Sequence, residues 1–168
     1  MMPSPDSSNT PEIDILVEAG AWAPESHLRP LVERAVAAAL ADAAARLAKA
    51  TELSLVFTDD AHAKLLNRRY RQKDSATNVL SFPAPPAATK MFGPLLGDLV
   101  FAHETIVREA AADGLALDDH LSHLVVHGLL HLLGYNHENE EEAAVMEGLE
   151  TAILAGLGIA DPYGGGDG

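Results

Sequence analysis

Three histidines near one another in the sequence have a spacing that could bind one metal ion. They follow the pattern H-x3-H-x2-G-x2-H, which places His127, His131 and His137 around Gly134. On an α-helix, side chains four residues apart lie one above the other, so the first two imidazoles can meet at one ion. A continuous helix would carry the third histidine about 15 Å from the first. The helix must therefore end between them, and glycine suits the left-handed backbone of a helix end.

Three histidine ligands are typical of a catalytic zinc site. Structural zinc sites usually fill all four positions with protein ligands, mostly thiolates, whereas catalytic sites leave one position for water or substrate. The chain contains no cysteine. Zinc peptidases of the H-E-x-x-H type place a glutamate base directly after the first histidine, and here that residue is Gly128. A peptidase therefore fits the spacing but lacks the base.

Other polar residues near this pattern are candidates for supporting roles. His123 lies one helical turn before His127, but about 12 Å of helix separates it from His131. It cannot share one ion with both, so we interpret it as a residue that lines the pocket behind the ligands or packs in the core. Asp98 either orients a ligand histidine or caps a turn, and His120 is predicted to be solvated at the start of the helix.

The charge of the chain is strongly acidic, with one basic cluster. A formal net charge of −14 opposes general adsorption to nucleic acid, whose affinity comes largely from neutralised phosphates. Five of the 11 lysines and arginines nevertheless lie between positions 64 and 73. They are Lys64, Arg68, Arg69, Arg71 and Lys73. This cluster could hold a phosphate chain if it shares a cleft with the metal.

The length of 168 residues, 48% of them hydrophobic, suits one globular domain. No charge-free apolar run reaches about 18 residues, so no membrane span is expected. The first ten residues lack the basic and apolar segments of a secretory signal. We expect a cytoplasmic protein, and the absence of a P-loop or dinucleotide glycine motif predicts no dinucleotide cofactor.

Apolar periodicity and turn residues predict an α+β fold. Four strands are expected at about 13–17, 51–58, 78–82 and 96–102. Five helices are expected at about 28–49, 60–70, 103–113, 118–134 and 139–157. Together they indicate one domain over residues 11–160, built on a mixed sheet with the histidine helix packed on one face.

Some finer features are also predicted. Ser26 is expected to cap the first helix, and Thr58 or Asp59 the second. Leu65 in the second helix and Val145 in the last are expected to point inward. Residues 1–10 are expected to be disordered and 161–168 flexible, and the proline-rich loop at about 83–94 is a candidate rim of the site.

Four separated segments of the chain resemble the YbeY family of bacterial rRNA maturation factors. They are HGLLHLLGYNH at 127–137, YRQKDSATNVLSFP at 70–83, LGDLVF at 96–101 and LGIADPY at 157–163. The resemblance extends over about residues 51–163, and the segments occur in the family's order.

This resemblance implies an α+β fold with one Zn²⁺, or another divalent ion, held by His127, His131 and His137. It implies a metal-dependent, single-strand-specific endoribonuclease that acts in 16S rRNA 3′-end maturation, ribosome assembly and ribosome quality control. The family's functional arginine falls on Arg71. The implied partners are rRNA and the small ribosomal subunit, together with ribosomal proteins and an assembly GTPase.

The family commonly has aspartate before the last histidine, whereas this chain has Asn136. An amide cannot act as a base, but it can orient a neighbour by hydrogen bonding.

We interpret Arg68, Arg69 and Lys73 as residues that steer RNA. Asn78 and Ser81 either bind the substrate backbone or serve the strand itself. Two alternatives stay open: a zinc peptidase-like hydrolase, and a non-catalytic assembly factor whose metal is structural.

Overall fold

The computed structural model describes most of the chain. The described residues are 10–43, 45, 47, 51–71, 78–84, 93–136 and 138–160. The predicted disorder of the N-terminal tail, the predicted flexibility of the C-terminal tail and most of the predicted rim loop lie outside these residues.

Four strands form one mixed sheet, as predicted. They are β1 (Glu12–Val17), β2 (Glu52–Thr58), β3 (Val79–Pro83) and β4 (Leu95–Ala102). Their order is β1-β2-β4-β3, with β1, β2 and β4 parallel and β3 antiparallel to β4. Side chains alternate between the faces, so Leu99 and Phe101 of β4 enter the main core, while Val100 joins a smaller cluster on the opposite face.

Five helices complete the described part of the chain. They are α1 (Glu25–Asp42), α2 (Asp60–Arg71), α3 (His103–Asp113), α4 (Leu117–Leu132) and α5 (Glu140–Gly156). Helix α4, which carries the histidines, packs against β3, β4, α1 and α5, and α2 packs on the other face of the sheet. The predicted single α+β domain is confirmed. None of these helices combines the length and the apolarity that a membrane span requires.

Helix α1 differs from its prediction at both ends. It begins at Glu25 after Pro24, so Ser26 lies inside the helix and does not cap it. It ends at Asp42, where the Ala43 N–H donates to the carbonyl of Ala39. Alanine favours a longer helix, but the chain leaves the helix and buries Leu47 in the core, where only 4% of it is exposed. Tertiary packing therefore overrides local propensity here.

One leucine and one valine whose side chains were expected in the core are exposed. Leu65 is 59% exposed and Val145 is 60% exposed. The buried positions of α2 include Ala63 and Asn67, and those of α5 include Glu150. In both helices a small or polar residue is buried at a position that the apolar pattern did not assign to the core.

Helix α2 is capped by Asp59, as predicted. The backbone N–H of His62 donates to Asp59 Oδ1 at 2.9 Å, and the His62 ring contacts the same oxygen. These hydrogen bonds lower the pKa of the Asp59 carboxyl from its usual value. The cap fixes the start of the helix that carries Lys64, Arg68 and Arg69.

Gly97 allows β3 and β4 to approach closely, so we expect a methyl group added at this position to destabilise the fold strongly. Its φ is +138°, and an added Cβ would lie 2.4 Å from the Phe82 carbonyl oxygen. We expect Gly97→Ala to lower the free energy of unfolding by roughly 2–6 kcal/mol, from backbone strain and overpacking. Urea unfolding measures this change.

Gly148 provides the matched control, because it lies in α5 and an added Cβ would project into open space. Gly148→Ala is expected to stabilise the chain by up to about 1 kcal/mol, because alanine favours helix. A Gly97→Ala variant as stable as the wild type would contradict the prediction.

Candidate metal centre

Helix α4 brings His127 and His131 together on one face. Their Nε2 atoms are 3.1 Å apart, and the ring centroids are 4.6 Å apart with the planes nearly perpendicular. Two nitrogens that share a tetrahedral zinc ion at about 2.0–2.1 Å each would lie about 3.3 Å apart. The two Nε2 atoms therefore have the separation of two ligands of one ion.

The end of α4 is fixed by the glycine that the sequence pattern singled out. Gly134 has φ of +104°, and the N–H of Tyr135 donates to the carbonyl of Leu130 at 3.0 Å. This hydrogen bond closes the helix in the way typical of glycine-terminated helices. The same turn brings the Tyr135 carbonyl oxygen to 2.9 Å from His131 Nδ1.

The remaining ring nitrogen of His127 contacts a buried carboxylate. His127 Nδ1 lies 3.0 Å from Glu150 Oε1, and His123 Nε2 lies 2.7 Å from Glu150 Oε2. Burial would raise the pKa of Glu150, but the hydrogen bonds from His123 and His127 outweigh it and lower that pKa to about 2. Glu150 is therefore ionised at neutral pH and only accepts hydrogen bonds.

These contacts determine which nitrogen of each imidazole carries the proton. A carboxylate and a backbone carbonyl both accept, so His127 and His131 each donate from Nδ1. In the neutral imidazoles the lone pairs then sit on the two Nε2 atoms, which face each other. Two lone pairs at 3.1 Å repel unless a cation binds both of them, and neutral imidazole nitrogens with this protonation are the form that binds metal. The pair is suited to hold a divalent ion.

His123, His127 and Glu150 also form a group that could hold a metal ion. One ligand atom from each residue lies within 4.8 Å of the others. Both carboxylate oxygens are already engaged at 2.7 and 3.0 Å by the two histidines, which are hydrogen-bond lengths. An ion there would have to displace both hydrogen bonds. The Nε2 pair of His127 and His131 is therefore the better cation site.

Glu150 was not predicted from the sequence, although a signal for it exists. It occurs at helical spacing with Met146, Ile153 and Leu154, all of which are buried. A glutamate within such an apolar stripe must find a partner. The residues of α4 that supply the partners are 23 and 27 positions away in the chain.

His120 is buried rather than solvated, so that prediction is wrong. Only 7% of it is exposed, and its Nε2 lies 2.9 Å from Glu109 Oε1. The Asn78 amide donates to the same carboxylate at 3.0 Å, and the Val79 N–H donates to Asn78 Oδ1. Asn78 thus ties the start of β3 to α3.

Gly128 packs directly against the sheet. An added Cβ would lie 2.8 Å from Leu99 Cδ2 and 3.4 Å from Val79 Cγ2. Ser81 is buried beside it and donates its hydroxyl to the Gly128 carbonyl at 3.4 Å. The position that carries the base in H-E-x-x-H peptidases therefore faces the core in this protein.

Asp98 lies on the sheet, in β4, whereas Asn136 lies in the turn after α4. Asp98 is exposed and lies on the face of β4 opposite Leu99, so it points away from α4. It borders a groove with Asp14. Asn136 Oδ1 accepts the Glu138 N–H at 3.1 Å, which is a local bond across the turn after α4.

Three basic side chains of α2 point to solvent. Lys64, Arg68 and Arg69 are exposed. The side chain of Arg71 and the whole of Lys73 and His137 lie outside the described residues, so their predicted roles stay predictions.

Comparisons with known proteins agree on one family. The family model described as Endoribonuclease YbeY matches residues 18–158. Proteins named Endoribonuclease YbeY from Rhizobium meliloti (strain 1021) and Rhizobium johnstonii are 55% identical over 160 residues and 53% identical over 162 residues. The alignments cover 91% and 93% of this chain and 95% of each relative.

The fold also matches a solved structure. The solution structure of TM1509 from Thermotoga maritima has a TM-score of 0.52 at 22% identity, covering 86% of this chain and 91% of that one. At this identity the likeness concerns the fold alone.

Proposed function

The chain belongs to the YbeY endoribonuclease family, and from this premise we propose that it is a metal-dependent, single-strand-specific endoribonuclease. Its proposed tasks are 16S rRNA 3′-end maturation, ribosome assembly and ribosome quality control in the cytoplasm. The observation that carries metal dependence is the 3.1 Å separation of His127 Nε2 and His131 Nε2, with both Nδ1 atoms engaged elsewhere.

The proposed site combines this pair with His137 as the third ligand of one Zn²⁺ or another divalent ion. When bound, such an ion supplies Lewis-acid polarisation of a phosphodiester oxygen and activation of water. The Tyr135 carbonyl accepts a hydrogen bond from His131 Nδ1, so Nε2 would be the metal-binding atom of that ring. Gly128 supplies no base, and Asn136 supplies none either.

The proposed substrate contacts come from the basic cluster. Arg71 is assigned to the phosphate, because a guanidinium presents a planar set of donors that matches phosphate oxygens. Arg68, Arg69 and Lys73 are assigned to steering of RNA toward the site. The proposed partners are rRNA in the small ribosomal subunit, ribosomal proteins and an assembly GTPase.

Replacing Arg71 tests whether this residue contacts the substrate phosphate or only supports the fold. We expect Arg71→Ala to lower cleavage of a single-stranded 16S precursor 3′ end by about 100–1,000-fold, the usual effect of losing one donor to a developing charge. Metal content and melting temperature should stay at wild-type values. Arg34→Ala is the control, because Arg34 is an exposed residue of α1, and it should cleave normally.

The same assay tests the alternatives. Metal-stripped protein should regain cleavage on addition of one divalent ion per chain, and a duplexed substrate should resist. If no metal supports cleavage while His131→Ala rescues a deletion strain, the chain is an assembly factor with a structural ion. Chelator-sensitive peptide hydrolysis would instead indicate a peptidase.

A further inference from the structure

We propose that Glu150 is a positioning residue of the metal site, and that its carboxylate holds His127 in the tautomer and orientation that bind metal. His123 in turn holds the carboxylate. This inference rests on the proposed function and adds a residue from α5 to a site otherwise built on α4 and the turn after it.

The geometry assigns one carboxylate oxygen to each histidine. Oε1 of Glu150 lies 3.0 Å from His127 Nδ1, and Oε2 lies 2.7 Å from His123 Nε2. The two histidines are one turn apart on α4, so the carboxylate bridges successive turns of that helix. The Glu150 side chain is fully buried, and it is therefore held by packing as well as by hydrogen bonds.

Packing alone does not explain why a carboxylate is buried at position 150. Its neighbours along the inward face of α5 are Met146, Ile153 and Leu154, all buried, so an apolar residue at position 150 would continue the core. Removing a charge from water carries a penalty that well-packed apolar residues avoid. Packing alone therefore does not account for a glutamate here, whereas a role toward His127 does.

Without this acceptor, His127 could carry its proton on Nε2. That proton would point at His131 Nε2, 3.1 Å away, and the two histidines would form a hydrogen bond with each other. Metal would then have to displace this bond and a proton. The Glu150 carboxylate prevents this hydrogen bond between the two histidines, because it keeps the His127 proton on Nδ1. The Nε2 lone pairs of His127 and His131 then face one position where a cation can bind both.

The test compares the affinity of Co²⁺ and Zn²⁺ for the full chain and for Glu150→Met, which has a similar length but no acceptor. We expect the variant to bind either ion about 10–100-fold more weakly, as for other lost partners of ligand histidines. Glu147→Met gives the same change of charge on the same helix and should bind normally. Unchanged affinity in a folded Glu150→Met variant would overturn the proposal.

His123→Gln distinguishes positioning from ligation. If His123, His127 and Glu150 were themselves the ligand set, His123→Gln would lose as much affinity as Glu150→Met, and this result would overturn the proposal. A positioning role predicts a smaller loss, because the carboxylate keeps its contact with His127.

A second measurement uses the wild-type chain and does not depend on a folded variant. ¹⁵N–¹H correlation spectra of the metal-free protein should show His127 protonated on Nδ1, and a ring protonated mainly on Nε2 would overturn the proposal. A wild-type chain with this tautomer that binds no divalent ion would instead contradict the proposed function, so the two failures are distinguishable.

Discussion

Replacing His131 with alanine is expected to remove bound metal from the purified chain and to lower RNA cleavage by about a thousandfold or more. Lewis-acid stabilisation of a phosphoryl oxygen is worth several kcal/mol, and each 1.36 kcal/mol corresponds to about a factor of ten in rate. His131 supplies one of the two Nε2 atoms at 3.1 Å, so its loss leaves His127 without its neighbour on α4. Metal analysis and the single-stranded precursor assay measure the two effects.

Melting curves add a readout that does not depend on activity. A ligand that binds only the folded chain raises its stability by an amount set by concentration and affinity. The melting temperature of the wild type should therefore rise with added Zn²⁺, and that of His131→Ala should not. His62→Ala is the control, because His62 is exposed on α2, and it should keep both the metal response and cleavage. Metal retention with normal cleavage in His131→Ala would contradict the proposed site.

The parts of this site that the sequence predicts well are the local ones. The end of α4 depends on Gly134 and on hydrogen bonds within five residues, such as that from Tyr135 to Leu130. The placement of His127 and His131 on one face follows from their spacing of four residues on a helix. Even the acceptor for His131 Nδ1 comes from the same turn, four residues away. Short-range geometry fixed by residue types can be derived without knowledge of the tertiary fold.

The parts that the sequence does not predict depend on which helices pack together. Glu150 meets His123 and His127 only because α5 packs against α4. His120 is buried where α4 packs against α3, and Glu109 of α3 lies beside it. The early end of α1 has the same kind of cause, since burial of Leu47 competes with the helix propensity of alanine. In each case the outcome depends on a contact between residues distant in sequence, which a local sequence pattern cannot predict.

Introducing the peptidase glutamate at position 128 is expected to destabilise the fold rather than to add an activity. The first atom of that side chain already overlaps Leu99, and Val79 lies close by. Overpacking of this kind costs about 1–3 kcal/mol, and an unpaired buried carboxylate adds several kcal/mol. Gly128→Glu should therefore lose at least about 4 kcal/mol, a large part of the 5–15 kcal/mol typical of a domain. Urea unfolding measures the loss.

Gly148→Glu makes the same chemical change in a helix with open space around the new side chain, and it should unfold near the wild-type midpoint. The comparison distinguishes the destabilisation caused by a glutamate side chain in general from that caused by its position in the fold. A folded Gly128→Glu variant that hydrolyses peptides with a chelator-sensitive rate would show that this position can reach the metal. We expect no such activity, because Gly128 contacts the sheet through Leu99, Val79 and Ser81. Close packing of α4 on the sheet requires glycine at the position where peptidases place their base. Any activation of water in this protein must therefore come from other groups.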